Sequence, residues 1–127
     1  MAKKRILVVD DEVYILKFMN NFLTANGFEV FIASNGLEGI DLAKNHRVDL
    51  IITDIKMPIM NGYRLIQELK SDPTYRDLPI IVITGYAVEE DDRKKAAQYG
   101  VIDYITKPLQ IEEVLNNVNK YLGGSQT

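Results

Sequence analysis

Three aspartates, a threonine and a lysine stand at the ends of four apolar runs in this sequence. Asp10 and Asp11 follow the first of these runs, Asp54 follows another, Thr84 ends a third and Lys107 follows the last. Carboxylates at close range repel one another by up to about 4 kcal/mol per pair at an effective dielectric constant of about 20. A divalent cation and the lysine ammonium would balance three such charges without protonation of a carboxylate. If folding brings these residues together, they predict a cation site.

The available ligand atoms indicate which cation such a site prefers. The chain has no cysteine, and its single histidine, His46, does not belong to this set of residues. Carboxylate and carbonyl oxygens favour Mg²⁺, with Mn²⁺ as the alternative, over zinc or copper. Bound Mg²⁺ keeps positions for water and phosphate oxygens, so the site suits phosphoryl transfer. In that chemistry Asp54 is the nucleophile that forms an acyl phosphate, and Lys107 offsets charge on the phosphoryl oxygens.

Five apolar runs predict the strands that position these residues. Continuous runs rich in β-branched residues are typical of strands buried on both faces, as in a parallel sheet. The predicted strands are Ile6–Val9, Phe28–Ala33, Leu50–Thr53, Ile80–Thr84 and Asp103–Thr106. A helical stretch follows each strand, so every crossover contains a helix and the strands run parallel. Ligands bind such sheets at the carboxyl ends of the strands. This geometry places the three aspartates, the threonine and the lysine at one edge.

Helical periodicity predicts five helices between and after the strands. The first begins after Glu12 and ends at Asn26 and Gly27, the third begins near Gly62, and the second and fourth cover about 37–45 and 89–99. The apolar positions expected to face the core are Ile15, Phe18, Met19, Phe22, Leu23, Leu37, Ile40, Ala43, Leu65, Ile66, Leu69, Ala96, Ala97, Ile111, Val114, Leu115, Val118 and Leu122. The fourth helix offers so few of them that its packing energy should be low and its position adjustable.

Composition argues against several classes of protein. The chain of 127 residues is 46% hydrophobic and 26% charged, as expected for one ordinary globular domain. Its net charge of −3 argues against direct nucleic-acid binding. The apolar run behind the basic start, Ile6 to Val9, is too short for a signal peptide or a membrane span, so a cytoplasmic protein is expected.

Four segments, in this order, resemble the receiver domain of two-component response regulators. They are Val8-Val9-Asp10-Asp11-Glu12, Asp54 through Gly62, Thr84-Gly85 and Tyr104-Ile105-Thr106-Lys107-Pro108. The similarity runs from about residue 4 to 123, so residues 1–127 are expected to form a single receiver domain with a flexible tail at 123–127. The resemblance implies a flavodoxin-like, doubly wound α/β fold with five helices and a parallel sheet of strand order 2-1-3-4-5.

The resemblance also implies a role for each residue of the site. Asp54 is similar to the aspartate that accepts a phosphoryl group from a histidine kinase. Asp11, Asp54 and the backbone carbonyl of Lys56 are similar to the protein ligands of Mg²⁺, and Asp10 to an aspartate that helps through water or through contacts with the ligands. Lys107 is similar to the lysine that pairs with the phosphoryl group.

Two further residues resemble a conformational switch. Thr84 is similar to a hydroxyl that moves to a phosphoryl oxygen, and Tyr104 to a ring that turns inward behind it. They would relay phosphorylation to the surface of the fourth helix, fifth strand and fifth helix. The Lys107–Pro108 peptide is cis in similar proteins.

The resemblance implies a regulatory domain rather than an enzyme, monomeric or weakly dimeric. Its partners would be a histidine kinase or histidine phosphotransfer protein and a downstream protein. Binding to nucleic acid or to a membrane is not expected.

The residues themselves leave other interpretations open. Asp54 alone suits an ordinary turn, and Asp10 and Asp11 suit helix caps. A Mg²⁺-dependent phosphatase with an aspartyl-phosphate intermediate typically needs an acid two residues after its nucleophile, where Lys56 stands. A flavodoxin-like flavin carrier needs a phosphate-cradling loop after the first strand, where acids would repel phosphate. Lys56 together with Tyr86 is further expected to screen an acyl phosphate from water and so to set its lifetime.

Overall fold

The computed structural model describes residues 3–85 and 90–123, with the backbone alone described for residue 92. Tyr86, the predicted helix start at Glu89 and the tail beyond residue 123 lie outside the described residues. The elements are β1 (Arg5–Val9), α1 (Val13–Ala25), β2 (Glu29–Ala33), α2 (Gly36–His46), β3 (Leu50–Asp54), α3 (Gly62–Lys70), a short 3-10 helix (Pro73–Tyr75), β4 (Ile80–Thr84), α4 (Glu90–Gln98), β5 (Val101–Thr106) and α5 (Ile111–Leu122).

The five strands form one parallel sheet in the order β2-β1-β3-β4-β5. Ile6 of β1 lies opposite Val30 of β2 and Leu50 of β3, so β1 lies between these two strands. Alternate strand residues point to opposite faces of a sheet. Side chains of α1 and α5 pack on one face, and those of α2, α3 and α4 pack on the other. The predicted doubly wound fold and strand order are confirmed.

Most of the predicted core positions are buried, three are exposed, and five are partly buried, namely Phe18, Phe22, Ile40, Leu115 and Leu122. Leu37 is 51% exposed, Ile111 is 50% exposed, and Ala97 is exposed although the adjacent Ala96 is buried. Gly39 of α2 lies directly against the sheet, because a Cβ at this position would be only 3.0 Å from Val9 Cγ2. Close approach of this helix to the sheet therefore depends on a residue without a side chain, which an apolar pattern cannot reveal.

The weak apolar face expected of the fourth helix is present in α4. Of its side chains that the structure describes, only that of Ala96 is buried. Little apolar area therefore holds α4 on the sheet, and such elements open at low free energy. None of the described helices is both long and apolar enough to span a membrane.

Candidate functional site

The predicted site residues lie together at the carboxyl ends of the strands, along one edge of the sheet. Asp54 is the last residue of β3, Thr84 is the last residue of β4, and Asp10 and Lys107 directly follow β1 and β5. A cavity of about 510 Å³ opens at this edge. Its lining residues are Asp11, Glu12, Asp54, Lys56, Gly85 and Lys107. Residues that follow the first strand and the last strand thus share one solvent-accessible site.

The ammonium group of Lys107 lies at the centre of this site. Its Nζ donates hydrogen bonds to Glu12 Oε1 at 2.6 Å and to Asp54 Oδ2 at 3.0 Å, and lies 3.2 Å from Asp10 Oδ2. Burial by itself lowers the pKa of Lys107, but the hydrogen bonds to Glu12 and Asp54 outweigh it and raise the pKa above its ordinary value. The peptide to Pro108 is cis, as the resemblance implies. Lys107 is therefore a permanent cation shared by three carboxylates.

The backbone fixes the orientation of the Asp54 carboxylate. Its Oδ1 accepts hydrogen bonds from the amides of Ile55 at 2.7 Å and Lys56 at 3.3 Å, while Oδ2 accepts from Lys107. The Thr53 hydroxyl donates to the Asp54 carbonyl at 2.9 Å. The side chain of Asp54 is 9% exposed and borders the cavity. Asp54 is thus held in one orientation and remains within reach of a small reactant.

Asp10 is the most deeply buried carboxylate of the site. Its side chain has no exposed surface, and its Oδ1 accepts a hydrogen bond from the Glu12 amide at 2.9 Å. Burial, which the hydrogen bond to Glu12 and the nearby Lys107 only partly offset, raises the pKa of Asp10 from its ordinary 3.8 to about 6. Its Oδ2 forms an ion-pair contact with Lys107 Nζ at 3.2 Å. Asp10 therefore adds a poorly compensated negative charge to the site.

This donor set fits a hard divalent cation. Carboxylate oxygens of Asp10, Glu12 and Asp54 lie within 4.8 Å of one another, and all are oxygen ligands of the kind that Mg²⁺ prefers. Asp11 is exposed and lines the cavity, although it does not belong to this close group. The ligand set of Asp11, Asp54 and the Lys56 carbonyl stays a prediction.

Glu12 also belongs to the site, although it is not among the residues predicted for it. Glu12 is the N-cap residue of α1, so the helix-cap interpretation of Asp10 and Asp11 is wrong. Its side chain makes no capping hydrogen bond and contacts Lys107 instead. An acid just before a helix suggests a capping role, and nothing local in the sequence shows that a lysine 95 positions later is its partner.

The loop that follows Asp54 depends on a close backbone approach. A Cβ at Gly62 would overlap the Asp54 carbonyl oxygen and lie 3.0 Å from Ile55 Cα. The Gly62 amide donates to the Ile55 carbonyl at 2.8 Å, and the Asn61 side chain accepts from Arg64 N to cap α3. This loop keeps Lys56 at the cavity, and only glycine fits at its end.

The two predicted switch residues occupy adjacent strands. Thr84 is buried at the end of β4, and its carbonyl accepts a hydrogen bond from the Lys107 amide at 2.8 Å. Tyr104 of β5 is half-buried, and the Arg93 guanidinium carbon of α4 lies 4.6 Å from its ring centroid. Thr84 thus borders the site, and Tyr104 contacts α4. His46 lies at the end of α2, stacked on Phe31 and apart from this cluster.

Replacing Asp10 by asparagine is expected to stabilise the protein in Mg²⁺-free buffer by about 3 kcal/mol at about pH 7.5, because it removes a buried charge whose pKa is raised from 3.8 to about 6. The amide oxygen of asparagine can still accept the hydrogen bond from the Glu12 amide. The folded pKa of Asp10 lies above the unfolded value, so the folded state binds more protons between about pH 4 and pH 6. Stability therefore falls as pH rises through this window, and the gain of the variant should vanish at about pH 4.

Urea denaturation of parent and Asp10→Asn at both pH values checks this expectation. Asp41→Asn, which changes an exposed carboxylate on the outer side of α2, is the control for the change of charge. A gain of equal size at both pH values, or no gain at either, would contradict the assignment of a buried charge penalty to Asp10.

Known proteins share both the sequence pattern and the fold. The sequence model of the response regulator receiver domain matches residues 6–119. The polar-differentiation response regulator DivK of Brucella anthropi is 34% identical over 120 residues, which cover 94% of this chain and 97% of that protein. The structure of chemotaxis protein CheY4 of Vibrio cholerae matches with a TM-score of 0.89 at 27% identity and covers 94% of this chain and 99% of its own. The receiver domain of sensor histidine kinase PA1611 of Pseudomonas aeruginosa PAO1, solved with a magnesium ion coordinated in the active site cleft, has a TM-score of 0.85 at 28% identity and covers 97% of this chain and all of its own.

Proposed function

This chain belongs to the response regulator receiver domain family of two-component signalling, and we propose that Asp54 is its phosphoacceptor. The observation that carries the proposal is the setting of this carboxylate. Asp54 borders an open cavity, two backbone amides orient it, and Lys107 lies 3.0 Å away to pair with a phosphoryl oxygen. Positioning and charge compensation of this kind supply most of the catalysis in phosphoryl transfer.

In the proposed reaction an oxygen of Asp54 attacks the phosphorus of a phosphohistidine. The new bond joins this oxygen to phosphorus, and the phosphorus–nitrogen bond of the donor breaks with its electron pair left on nitrogen. Asp11, Asp54 and the carbonyl of Lys56 would hold Mg²⁺, or Mn²⁺ in its place, with Asp10 assisting through water. When bound, the metal offsets negative charge on the phosphoryl oxygens. The receiver domain from Pseudomonas aeruginosa, solved with a magnesium ion in its active site cleft, supports a Mg²⁺ site in the corresponding cleft.

The proposed output is a change at the surface formed by α4, β5 and α5. Phosphorylation replaces a carboxylate by a dianion and so adds about one negative charge beside Lys107. Thr84 would then move toward the phosphoryl oxygens, and Tyr104 would follow. Two observations support this route: the contact between Arg93 and Tyr104, and the small apolar face of α4. Elements with little buried area can shift at low cost, as a switch requires.

The proposed partners follow from this chemistry. A histidine kinase or histidine phosphotransfer protein supplies the phosphoryl group in the cytoplasm, and a downstream protein binds the altered surface. We propose a regulatory domain, monomeric or weakly dimeric, that assists its own phosphorylation and dephosphorylation and binds neither nucleic acid nor membrane. The alternatives gain no support, since Lys56 stands where the phosphatase needs an acid and acids occupy the place of a flavin phosphate cradle.

Incubation with acetyl phosphate and Mg²⁺ should add the mass of one phosphoryl group to the parent protein and none to Asp54→Asn. Intact-mass spectrometry measures the product, and excess chelator should abolish it, because the uncompensated acidic site would repel an anionic donor. Asp41→Asn, remote from the cavity on α2, should be phosphorylated like the parent. An unmodified parent, or an Asp54→Asn variant modified to the same extent, would refute the proposal.

A further inference from the structure

Glu12 makes the shortest of the carboxylate contacts to Lys107. Its Oε1 lies 2.6 Å from Lys107 Nζ, against 3.0 Å for Asp54 Oδ2 and 3.2 Å for Asp10 Oδ2. The hydrogen bond to Lys107 is also the main cause that lowers the pKa of Glu12 below its ordinary value. An ammonium group has three donors, so a carboxylate that occupies one of them at this distance limits what else Lys107 can bind.

Glu12 also changes the charge balance of the site. Asp10, Asp11 and Asp54 carry three negative charges, which one divalent cation and Lys107 would cancel. Glu12 belongs to the same close group of carboxylates and adds a fourth negative charge. With a divalent cation bound, the four carboxylates and Lys107 leave a net charge of −1 before any phosphoryl group arrives. The dianionic phosphoryl group then meets repulsion from Glu12 as well as competition for the ammonium.

We propose that Glu12 competes with the phosphoryl group for Lys107 and at the same time strengthens Mg²⁺ binding. This inference rests on the proposed phosphorylation of Asp54. Glu12 is a positioning residue, because it acts through the ammonium of Lys107 and through its charge. It favours the metal-loaded, unphosphorylated state over the phosphorylated state. The balance between these states is thereby set by a residue outside the predicted ligand and switch residues.

Glu12→Gln tests both parts, because it keeps the shape of the side chain and removes its charge. Calorimetric titration of the unphosphorylated protein should show Mg²⁺ binding weakened by about tenfold. At saturating Mg²⁺, time courses with acetyl phosphate followed by intact mass should show the opposite effect. The ratio of the phosphorylation rate constant to the dephosphorylation rate constant should rise by about tenfold. A residue that merely supports the fold would not move these two quantities in opposite senses.

Two further variants control for a change of charge elsewhere and for a change beside Glu12 that keeps its charge. Glu29→Gln removes a carboxylate that pairs with Arg5 at the opposite edge of the sheet, and should leave both quantities unchanged. Tyr14→Phe removes the hydroxyl whose pKa the Glu12 carboxylate raises but keeps the charge of Glu12, and its exposed ring is compatible with folding. This variant should leave Mg²⁺ affinity within about twofold of the parent value and raise the rate ratio by about twofold to threefold.

The outcomes distinguish this inference from the proposed function beneath it. If the parent takes up no phosphoryl group, the proposed function fails. If the parent is phosphorylated but the rate ratio of Glu12→Gln stays equal to that of the parent, the competition is refuted. A lower ratio would also refute it, because Glu12 would then position Lys107 for the transfer. Unchanged Mg²⁺ affinity in Glu12→Gln overturns the part of the proposal that concerns the metal.

Discussion

Replacing Lys107 by glutamine is expected to lower the free energy of unfolding by about 3 kcal/mol in Mg²⁺-free buffer at about pH 7.5, since removal of one partner leaves buried charges uncompensated. Asp10 and Asp54 are nearly inaccessible to water, and Lys107 is the cation that contacts both. Mg²⁺ should restore most of the loss, because it can take over the compensation of these carboxylates.

The pH dependence of this loss has a definite sign. In the parent, the raised pKa of Lys107 contributes stability that is fully present below its unfolded value of 10.5. In the variant, the buried Asp10 loses its cation and keeps a folded pKa above its unfolded value, so its charge penalty grows as pH rises and disappears as it takes up a proton. The difference between the two proteins should therefore be largest near neutral pH and shrink toward about pH 4.

Urea denaturation at these two pH values, with and without Mg²⁺, measures the effect. Lys17→Gln, which removes an exposed ammonium from α1, is the matched control. If Lys107→Gln destabilises the protein no more than this control does, the ammonium is not the compensating charge. A loss that persists in full at low pH would point to a packing defect instead.

Gly62→Ala is expected to weaken Mg²⁺ binding by about tenfold or more and to lower the free energy of unfolding by about 3 kcal/mol, at the upper end of overpacking effects. The added Cβ would collide with the Asp54 carbonyl oxygen and approach Ile55 Cα, which are both backbone atoms. No rotation of a side chain can relieve this contact. The loop must shift, and it carries the carbonyl of Lys56.

Gly39→Ala provides a matched control for Gly62→Ala. Its Cβ would meet Val9 side-chain atoms at 3.0 Å, and these belong to the core rather than to the cavity. This variant should lose some stability but bind Mg²⁺ like the parent, as judged by calorimetric titration. Equal Mg²⁺ affinities in Gly62→Ala and the parent would show that the close approach at Gly62 does not position the proposed metal ligands.

Local pattern was sufficient to predict the elements that carry the site. The fourth strand was predicted at Ile80–Thr84 and is found at these bounds, because a continuous apolar run between polar residues admits few other structures. The alternation of strands and helices was also sufficient to place Asp54, Thr84 and Lys107 at one edge, since parallel strands share their carboxyl ends. The order of the strands came from the resemblance, because crossover lengths do not distinguish one neighbour from another.

The prediction of buried positions was less successful where tertiary packing overrides periodicity. Leu37 fits the apolar stripe of α2 but is half exposed, while Gly39 approaches Val9 on the sheet. Ala96 and Ala97 are equally apolar, yet only Ala96 faces the sheet. The rotation of a short helix about its axis depends on what it packs against, and this information is spread over other elements.

At the centre of the site, too, local sequence determines which residues meet, and tertiary structure determines how they interact. That Asp10, Asp54 and Lys107 meet at one edge follows from strand ends, which are local features of the chain. That Lys107 contacts Glu12 more closely than Asp54, and that Asp10 has a pKa of about 6, depends on distances of tenths of an ångström between groups up to 95 residues apart and on the loss of water around them. Hydrogen bonding and desolvation act through space, so these properties exist only once the sheet and its helices have assembled.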